Sequence, residues 1–237
     1  MTKDRPLEAE VGGYITSMLR TNFGKGPTSV YVTLKPPFFT VHLRGFLAPM
    51  EKILLKQNET ERVLETRDML MQEMQQEIKH QLWDQAKLDV REIYADWQLE
   101  NETGVIFGVL KQGQQEEKEW PWPEDVNREE LTEKLKKASK NAEKTPVVTE
   151  VFWLNDRTIL VKRSGILVRI EKELIKRGVI EDLKLAKRPL ERRVLIEVGL
   201  EETLKRHVDD YFVDWDFEND LGYTVITLQT KKQTPKG

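Results

Sequence analysis

The segment that decides the fold is residues 165–176, which read GILVRIEKELIK, because residues 45–56 read GFLAPMEKILLK. Six positions are identical between the two segments at a constant offset of 120 residues, and most of the others exchange one apolar residue for another. A second pair, residues 96–104 (DWQLENETG) and 214–222 (DWDFENDLG), repeats at an offset of 118 residues. Because each copy of an internal repeat must form the same structural unit, the chain is predicted to contain two tandem units.

Length and composition agree with two modest units. The chain has 237 residues, so each copy has roughly 110 residues, which is enough for a core of its own. The absence of cysteine excludes a disulfide framework, a thiol nucleophile and a cysteine-ligated metal site. The first ten residues are polar and charged, so no signal peptide is expected. No segment approaches the ~18 apolar residues of a membrane span, and we expect a soluble, cytoplasmic protein.

The charge distribution argues against a nucleic-acid partner. The formal net charge is −3, of which residues 1–112 contribute −2 and the remainder −1. A nucleic-acid-binding chain usually has a basic excess that neutralises several phosphates. One local basic run is interpreted as the solvent-exposed side of a helix; it comprises Lys184, Lys187, Arg188, Arg192 and Arg193.

Hydrophobic periodicity gives both copies the same order of elements. In the first copy, helical spacing predicts a helix over 7–22 and a long helical stretch over 48–91, bent near 57–59. Alternating apolar residues predict two hairpins, with a turn at Pro36-Pro37 inside the first. The second copy repeats this order: a helix capped by Asn127, strands over 147–154 and 157–163, helices from 168 to 207, and strands over 211–217 and 223–230.

The predicted fold class is therefore α+β. It consists of two tandem α-β-β-α-β-β repeats, each a four-stranded antiparallel sheet with long helices packed on one face. We place the first repeat at 1–112, a linker at 113–125 and the second repeat at 126–237. The linker is polar and then interrupted by prolines, and its residues Trp120 and Trp122 are expected to hold it against a neighbouring domain.

Few residues carry a chemical signal. The three histidines lack metal-binding spacing, and His42 is expected to face solvent because its counterpart is Lys162. The glycine-containing segment Gly24, Lys25, Gly26 and Pro27 superficially resembles a phosphate-binding loop, but a helix precedes it and a strand follows, so helix termination is the favoured interpretation.

Acidic residues alternate along the strand that begins each second hairpin: Asp96 and Glu100 in the first copy, and Asp214, Asp216 and Glu218 in the second. Carboxylates two residues apart project from the same side of a strand. They could converge on a hard cation, or they could form the solvated face of a one-sided sheet. No nucleophile or cleft signal accompanies them, and we expect neither enzymatic activity nor a cofactor or bound metal.

Three parts of the first copy follow a known family pattern: residues 23–27 (FGKGP), residues 43–51 (LRGFLAPME) and Arg67 in the long helix. Through these residues the first copy resembles the MpsC-like family, a bacterial domain of unknown function. The resemblance covers most of residues 7–111, whereas the second copy retains fewer of these residues and has Arg169 in place of Pro49. The resemblance therefore adds Glu51 and Arg67 to the candidate binding residues.

The family is named for a membrane-potential-generating system linked to sodium or proton movement and bicarbonate uptake. The resemblance implies a non-catalytic cytoplasmic accessory or regulatory module with a protein partner, such as a membrane transporter subunit. The two copies would form an intramolecular pseudo-dimer. The alternative is a sensor that binds a small ligand or cation between the two repeats.

Overall fold

The computed structural model describes residues 6–111 and 120–229. The chain divides into two compact units, residues 1–117 and 118–237. Each unit contains one four-stranded antiparallel sheet, and the strand order is β1-β2-β4-β3 in the first and β5-β6-β8-β7 in the second. In each sheet the second strands of the two hairpins pair at the centre, so the first strands of the hairpins lie at the edges. The predicted α+β fold class, with its repeated element order, is confirmed.

The elements of the first unit follow the hydrophobic pattern closely. They are α1 (Leu7–Phe23), β1 (Ser29–Lys35), β2 (Phe38–Arg44), α2 (Pro49–Lys56), α3 (Thr60–Ala86), β3 (Val90–Gln98) and β4 (Thr103–Leu110). The long helical stretch predicted to reach residue 91 ends earlier, because Lys87 adopts a left-handed conformation with φ of 54°. Its three-residue connection leads directly into β3.

The second unit repeats these elements with one addition. They are α4 (Arg128–Ala142), β5 (Val148–Asn155), β6 (Thr158–Ser164), α5 (Arg169–Lys176), α6 (Ile180–Glu197), α7 (Leu200–Leu204), β7 (Val208–Asp216) and β8 (Leu221–Leu228). Pro189 lies inside α6. The helical stretch predicted from 168 to 207, with bends near Gly178 and Pro189, is also interrupted near its end, because Gly199 and Lys205 both have positive φ and bracket the short α7.

The core of each unit lies between its helices and one face of its sheet. In the first unit Val41 and Leu43 of β2 and Trp97 of β3 pack in one cluster with Ile15 of α1 and Ile78 of α3. On α3 the buried positions recur every three or four residues, as an amphipathic helix requires; they are Val63, Arg67, Met71, Met74, Ile78, Leu82 and Ala86.

The opposite face of each sheet is also buried, which the one-sided interpretation of the acidic strands did not anticipate. Asp96 is fully buried, as is the neighbouring Phe107, and Asp214 is only 4% exposed. The prediction that His42 faces solvent is wrong, because its exposed fraction is 8%. Alternation of polar and apolar residues identified the strands correctly but does not report what covers their polar side.

Two glycines at equivalent positions direct the chain out of each sheet. Gly45 and Gly165 have φ of 64° and 65°, a conformation that side chains disfavour. A Cβ at Gly45 would collide with Thr28, and one at Gly165 would collide with Val147. Each glycine N–H donates a hydrogen bond to the turn of the second hairpin, at Glu102 O and Asp220 O. The repeated glycine therefore sets where the following short helix, α2 or α5, begins.

Candidate functional site

The repeated segment after each glycine builds a local clamp around a glutamate. In the first unit, Glu51 Oε2 accepts a hydrogen bond from the Ala48 N–H at a distance of 2.8 Å, which caps the start of α2. In the second unit, Glu171 Oε2 accepts the Val168 N–H at 2.9 Å. The same glutamate then turns its carboxylate toward a buried cation on the long helix. The identity of this glutamate in both copies therefore has a structural reason.

In the first unit the cation is Arg67 on α3. Its Nε lies 2.7 Å from Glu51 Oε1 and its Nη2 donates to Glu51 Oε2 at 2.7 Å, so the two groups pair at two points. Arg67 is 1% exposed. Burial lowers the pKa of Arg67, and the hydrogen bond and charge of Glu51 act in the opposite direction.

Three aromatic rings enclose the guanidinium group of Arg67. Its Cζ lies 4.2 Å from the ring centre of Phe46, 4.4 Å from that of Trp97 and 4.7 Å from that of Phe23. Cations over aromatic faces within about 6 Å are attracted by the ring quadrupole. We call Arg67, Glu51 and these three rings the arginine cage. It joins the end of α1, the start of α2, α3 and β3.

In the second unit the equivalent cation is Lys187 on α6, at an offset of 120 residues from Arg67. Its Nζ lies 2.6 Å from Glu171 Oε1 and donates to both carboxylate oxygens of Glu143, also at 2.6 Å. Glu191 is a further neighbour, with an Nζ to Oε1 distance of 3.8 Å. Glu143 follows α4 directly, where Gly24 follows α1, and its carboxylate contacts Lys187 as the Phe23 ring contacts Arg67.

The Lys187 site extends to a second cation. Arg163 Nη2 donates to Glu191 Oε2 at 2.5 Å, and Trp215 Nε1 donates to Glu191 Oε1 at 2.8 Å. Arg163 also donates from Nη1 to Ser139 Oγ at 2.9 Å. We call Lys187, Arg163 and the three glutamates the lysine cluster. The interpretation of Lys187 and Arg188 as solvent-exposed is wrong, because they are 2% and 1% exposed.

The pKa values of the lysine cluster move in different directions. Burial raises the pKa of Glu143 to about 7, and the Glu171 carboxylate adds to this, while Lys187 acts against it. For Glu191, burial acts to raise the pKa, but Arg163 and Lys187 together bring it below its ordinary value. For Lys187, burial acts to lower the pKa, but the surrounding carboxylates outweigh it and the pKa is raised.

The predicted acidic residues have separate local roles within their own units. Asp96 Oδ1 and Asp214 Oδ1 each accept the N–H of the following tryptophan at 2.8 Å, and Asp214 also faces Lys184 Nζ at 3.1 Å. Asp216 accepts hydrogen bonds from the N–H and side chain of Asn219 in the β7–β8 turn.

Glu100 and Glu218 lie exposed in turns. Across residues 6–111 and 120–229, no three His, Asp or Glu side chains are grouped so that they could hold a metal ion.

The glycine-containing segment after α1 lies beside the arginine cage. Gly24 ends α1 with φ of 74°, directly after the cage residue Phe23. Pro27 lines an open groove of about 520 Å³ between α1 and β1, together with Gly12, Thr16, Ser29 and Val30. Lys25 and Gly26 are half-buried in this connection. Among the predicted site residues, Glu51 and Arg67 are in direct contact.

The tryptophans of the predicted linker pack on the second unit. Trp122 Nε1 donates to Val126 O at 2.7 Å, and its ring centre lies 5.6 Å from that of Trp153. The Trp120 ring lies 5.1 Å from Phe152. Residues 113–119 of that predicted linker lie outside the described residues.

Taken together, the fold and the site define an α+β protein made of two α-β-β-α-β-β units, each with a buried cation that holds a short helix through one glutamate. Residues 3–112 match the family model described as Na⁺-translocating membrane potential-generating system (MpsC). The first unit therefore belongs to the MpsC family. No curated protein and no solved structure gives a significant match to the chain. Among the helices of the described ranges, none combines the length and apolar character needed to cross a bilayer.

Proposed function

We propose that the chain is a non-catalytic, cytoplasmic accessory module of a membrane-potential-generating system, and that it docks through α2 on a protein component of that system. Family membership supports the link to such a system. Transport of sodium, protons or bicarbonate would then be the work of the membrane component, with this chain as its regulatory partner.

The observation that carries the proposal is the setting of α2. This helix has no buried residue, yet it is fixed at several points. Glu51 caps its start and binds Arg67, and Lys52 Nζ lies 2.5 Å from Glu102 Oε1 in the β3–β4 turn. The residues that carry the family resemblance thus hold in place a helix whose Leu54 and Leu55 are only partly buried against the core.

The outward side of α2 is apolar. Met50 is 66% exposed and Ile53 is 51% exposed, and residues three apart lie on the same face of a helix. Lys56 follows at the end of the helix and is exposed. A partner surface with an apolar centre and carboxylates at its border would complement this face. In the second unit Ile170 is 65% exposed at the position of Met50, but Glu173 replaces Ile53.

The ion pairs and hydrogen bonds of the ionisable groups also support a non-catalytic role. Glu51 and Arg67 neutralise each other inside the arginine cage. Asp96 and Asp214 accept backbone hydrogen bonds of their own strands. Groups engaged in this way hold the fold together and are not directed at a reacting molecule.

The test is cosedimentation of the full chain with membranes of the source organism. The variant Met50→Glu/Ile53→Glu is expected to weaken binding at least tenfold, which corresponds to ~1.4 kcal/mol. Ile170→Glu is the matched control, because it places the same charge at the equivalent exposed position of the second unit, and it is expected to bind like the unmodified chain.

Protease treatment of the membranes separates a protein partner from a lipid surface. Binding is expected to disappear after the treatment. Equal binding by treated and untreated membranes, or full binding by the double variant, would contradict the proposal.

A further inference from the structure

The lysine cluster of the second unit carries an imbalance of charge. Within residues 120–229 it combines three carboxylates, Glu143, Glu171 and Glu191, with two cations, Lys187 and Arg163. If every group is ionised, the cluster has a net charge of −1. Uncompensated charge in a buried site is costly, and the usual remedy is that one group changes its protonation state.

The geometry shows where the excess negative charge of the cluster lies. Glu143 and Glu171 bind the same ammonium group, because both lie 2.6 Å from Lys187 Nζ. Glu191 is instead held by Arg163 and by the Trp215 N–H, and both of these favour its ionised form. One proton on the Glu143–Glu171 pair makes the cluster neutral.

We propose that the lysine cluster is a proton-binding switch, in which Glu143 holds one proton beside Glu171 and the loss of this proton releases the C-terminal end of α4 from α6. The proposal is independent of the docking function assigned to α2.

Glu143 is the group that moves, because it is the most accessible of the three glutamates. Its side chain is 17% exposed, whereas those of Glu171 and Glu191 are each 5% exposed. It also sits immediately after α4, where its N–H donates to Ser139 O at 3.0 Å. Glu171, by contrast, is tied to the Val168 N–H at the start of α5. The raised pKa of Glu143, about 7, places the transition in the neutral range.

Several charged side chains near the lysine cluster form hydrogen bonds or ion pairs with groups outside it. Lys144 follows Glu143 and donates to Leu167 O at 3.2 Å, and on α6 Lys184 faces Asp214 of β7. Farther along α4, Lys134 lies near Glu130 and near Glu202 of α7, and Glu150 of β5 pairs with Lys162 of β6. These groups have partners outside the lysine cluster.

The first unit provides an internal control. At the position of Glu143 it has Gly24, which has no side chain to titrate, and the only carboxylate on Arg67 among residues 6–111 is Glu51, which also caps α2. The end of α1 therefore lacks the titrating pair that ends α4. A pH response confined to α4 in the same molecule reports on the lysine cluster.

The first experiment counts the proton. In the full chain with ¹³C-labelled glutamate side chains, one glutamate carboxyl resonance is expected to titrate with a midpoint near pH 7 and to vanish in Glu143→Gln. Glu129→Gln, an exposed position on the same helix, is expected to leave this titration unchanged. If no glutamate titrates above about pH 6, or if the titration survives Glu143→Gln, the proton site is refuted.

The second experiment tests whether the C-terminal end of α4 separates from α6 when the proton is lost. Hydrogen-exchange protection factors of amides near the end of α4, including that of Glu143, are expected to fall at least fivefold between pH 6 and pH 8. Those at the end of α1 are expected to stay constant. Glu143→Gln resembles the protonated carboxyl group, because it keeps one oxygen that accepts from Lys187 and cannot ionise, so its protection should not change between pH 6 and pH 8. A titrating glutamate without any change in protection would overturn the switch.

Discussion

Arg67 and Glu51 form a two-point ion pair in which Nε and Nη2 each lie 2.7 Å from a carboxylate oxygen. The pair connects α3 to the first turn of α2, and three aromatic rings exclude water from it. The equivalent pair in the second unit, Lys187 and Glu171, has the same position but is surrounded by further charges. The same ion pair between a long helix and a short helix thus occurs in two environments. Aromatic rings surround it in the first unit, and ionisable side chains surround it in the second.

Arg67→Ala is expected to destabilise the first unit by about 3–5 kcal/mol, because it leaves the Glu51 carboxylate without its partner and empties the space between the rings. Urea unfolding of the full chain measures this, with each unit followed separately by hydrogen exchange. Arg62→Ala, an exposed position on the same helix, is the control and should change the free energy of unfolding by less than about 0.5 kcal/mol. If Arg67→Ala and Arg62→Ala changed the free energy of unfolding equally, the arginine cage would contribute no additional stability.

Two glycine substitutions are expected to act with opposite signs. Gly45→Ala should destabilise by about 1–3 kcal/mol, because φ is positive and the new Cβ meets Thr28. Gly13→Ala should stabilise by up to about 1 kcal/mol, since this residue lies inside α1 and its Cβ would meet nothing within 4 Å. Thermal unfolding of both variants checks the prediction, and a loss of stability in Gly13→Ala would contradict it.

The stability of the second unit is expected to fall as the pH rises from 6 to 8. The pKa of Glu143 is about 7 in the folded chain and 4.5 as its ordinary value, so the folded state binds the proton more tightly. Its contribution to stability is complete below pH 4.5 and is lost as the pH rises through about 7, with a slope of at most ~1.4 kcal/mol per pH unit. Melting curves of the full chain at several pH values measure this.

Glu191 responds in the opposite sense. Its pKa is lowered in the folded chain, so its contribution is present above its ordinary pKa and is lost as the pH falls below it. The second unit should therefore be most stable in mildly acidic solution, between these two transitions. In Glu143→Gln the loss of stability between pH 6 and pH 8 should disappear. If the loss of stability kept its size, a group other than Glu143 would cause it.

The sequence predicted the elements well because local rules govern them. Alternating residues such as Val30, Val32 and Leu34 predicted a strand, and the internal repeat transferred each assignment to the other copy. Helix ends were less accurate, because the positive φ at Lys87 and Lys205 has no strong signal in a lysine. Only the glycine at a helix end is a dependable sign of this conformation.

The candidate site was predicted in part. Glu51 and Arg67 were identified from the family resemblance, and the structure shows them in contact. The lysine cluster was missed, because Lys187 was grouped with a basic run and interpreted as exposed. Its position did contain a signal: Leu183, Lys187, Glu191 and Val194 recur at helical spacing, so the lysine lies on the apolar face of α6. The burial of Asp96 had no comparable local signal.

Lys187→Met is expected to destabilise the second unit by about 3–5 kcal/mol at pH 8, because it leaves three buried carboxylates with Arg163 as their remaining cation within residues 120–229. The penalty should shrink as the pH falls toward 6, since Lys187 is the group that holds the pKa of Glu143 down. Without it, Glu143 binds a proton at higher pH and the site becomes less charged. Denaturant unfolding of this variant and of Lys187→Met/Glu143→Gln at both pH values measures the effect. The double variant should be less pH-dependent than the single variant, and a penalty that grows on acidification would contradict this account of the cluster.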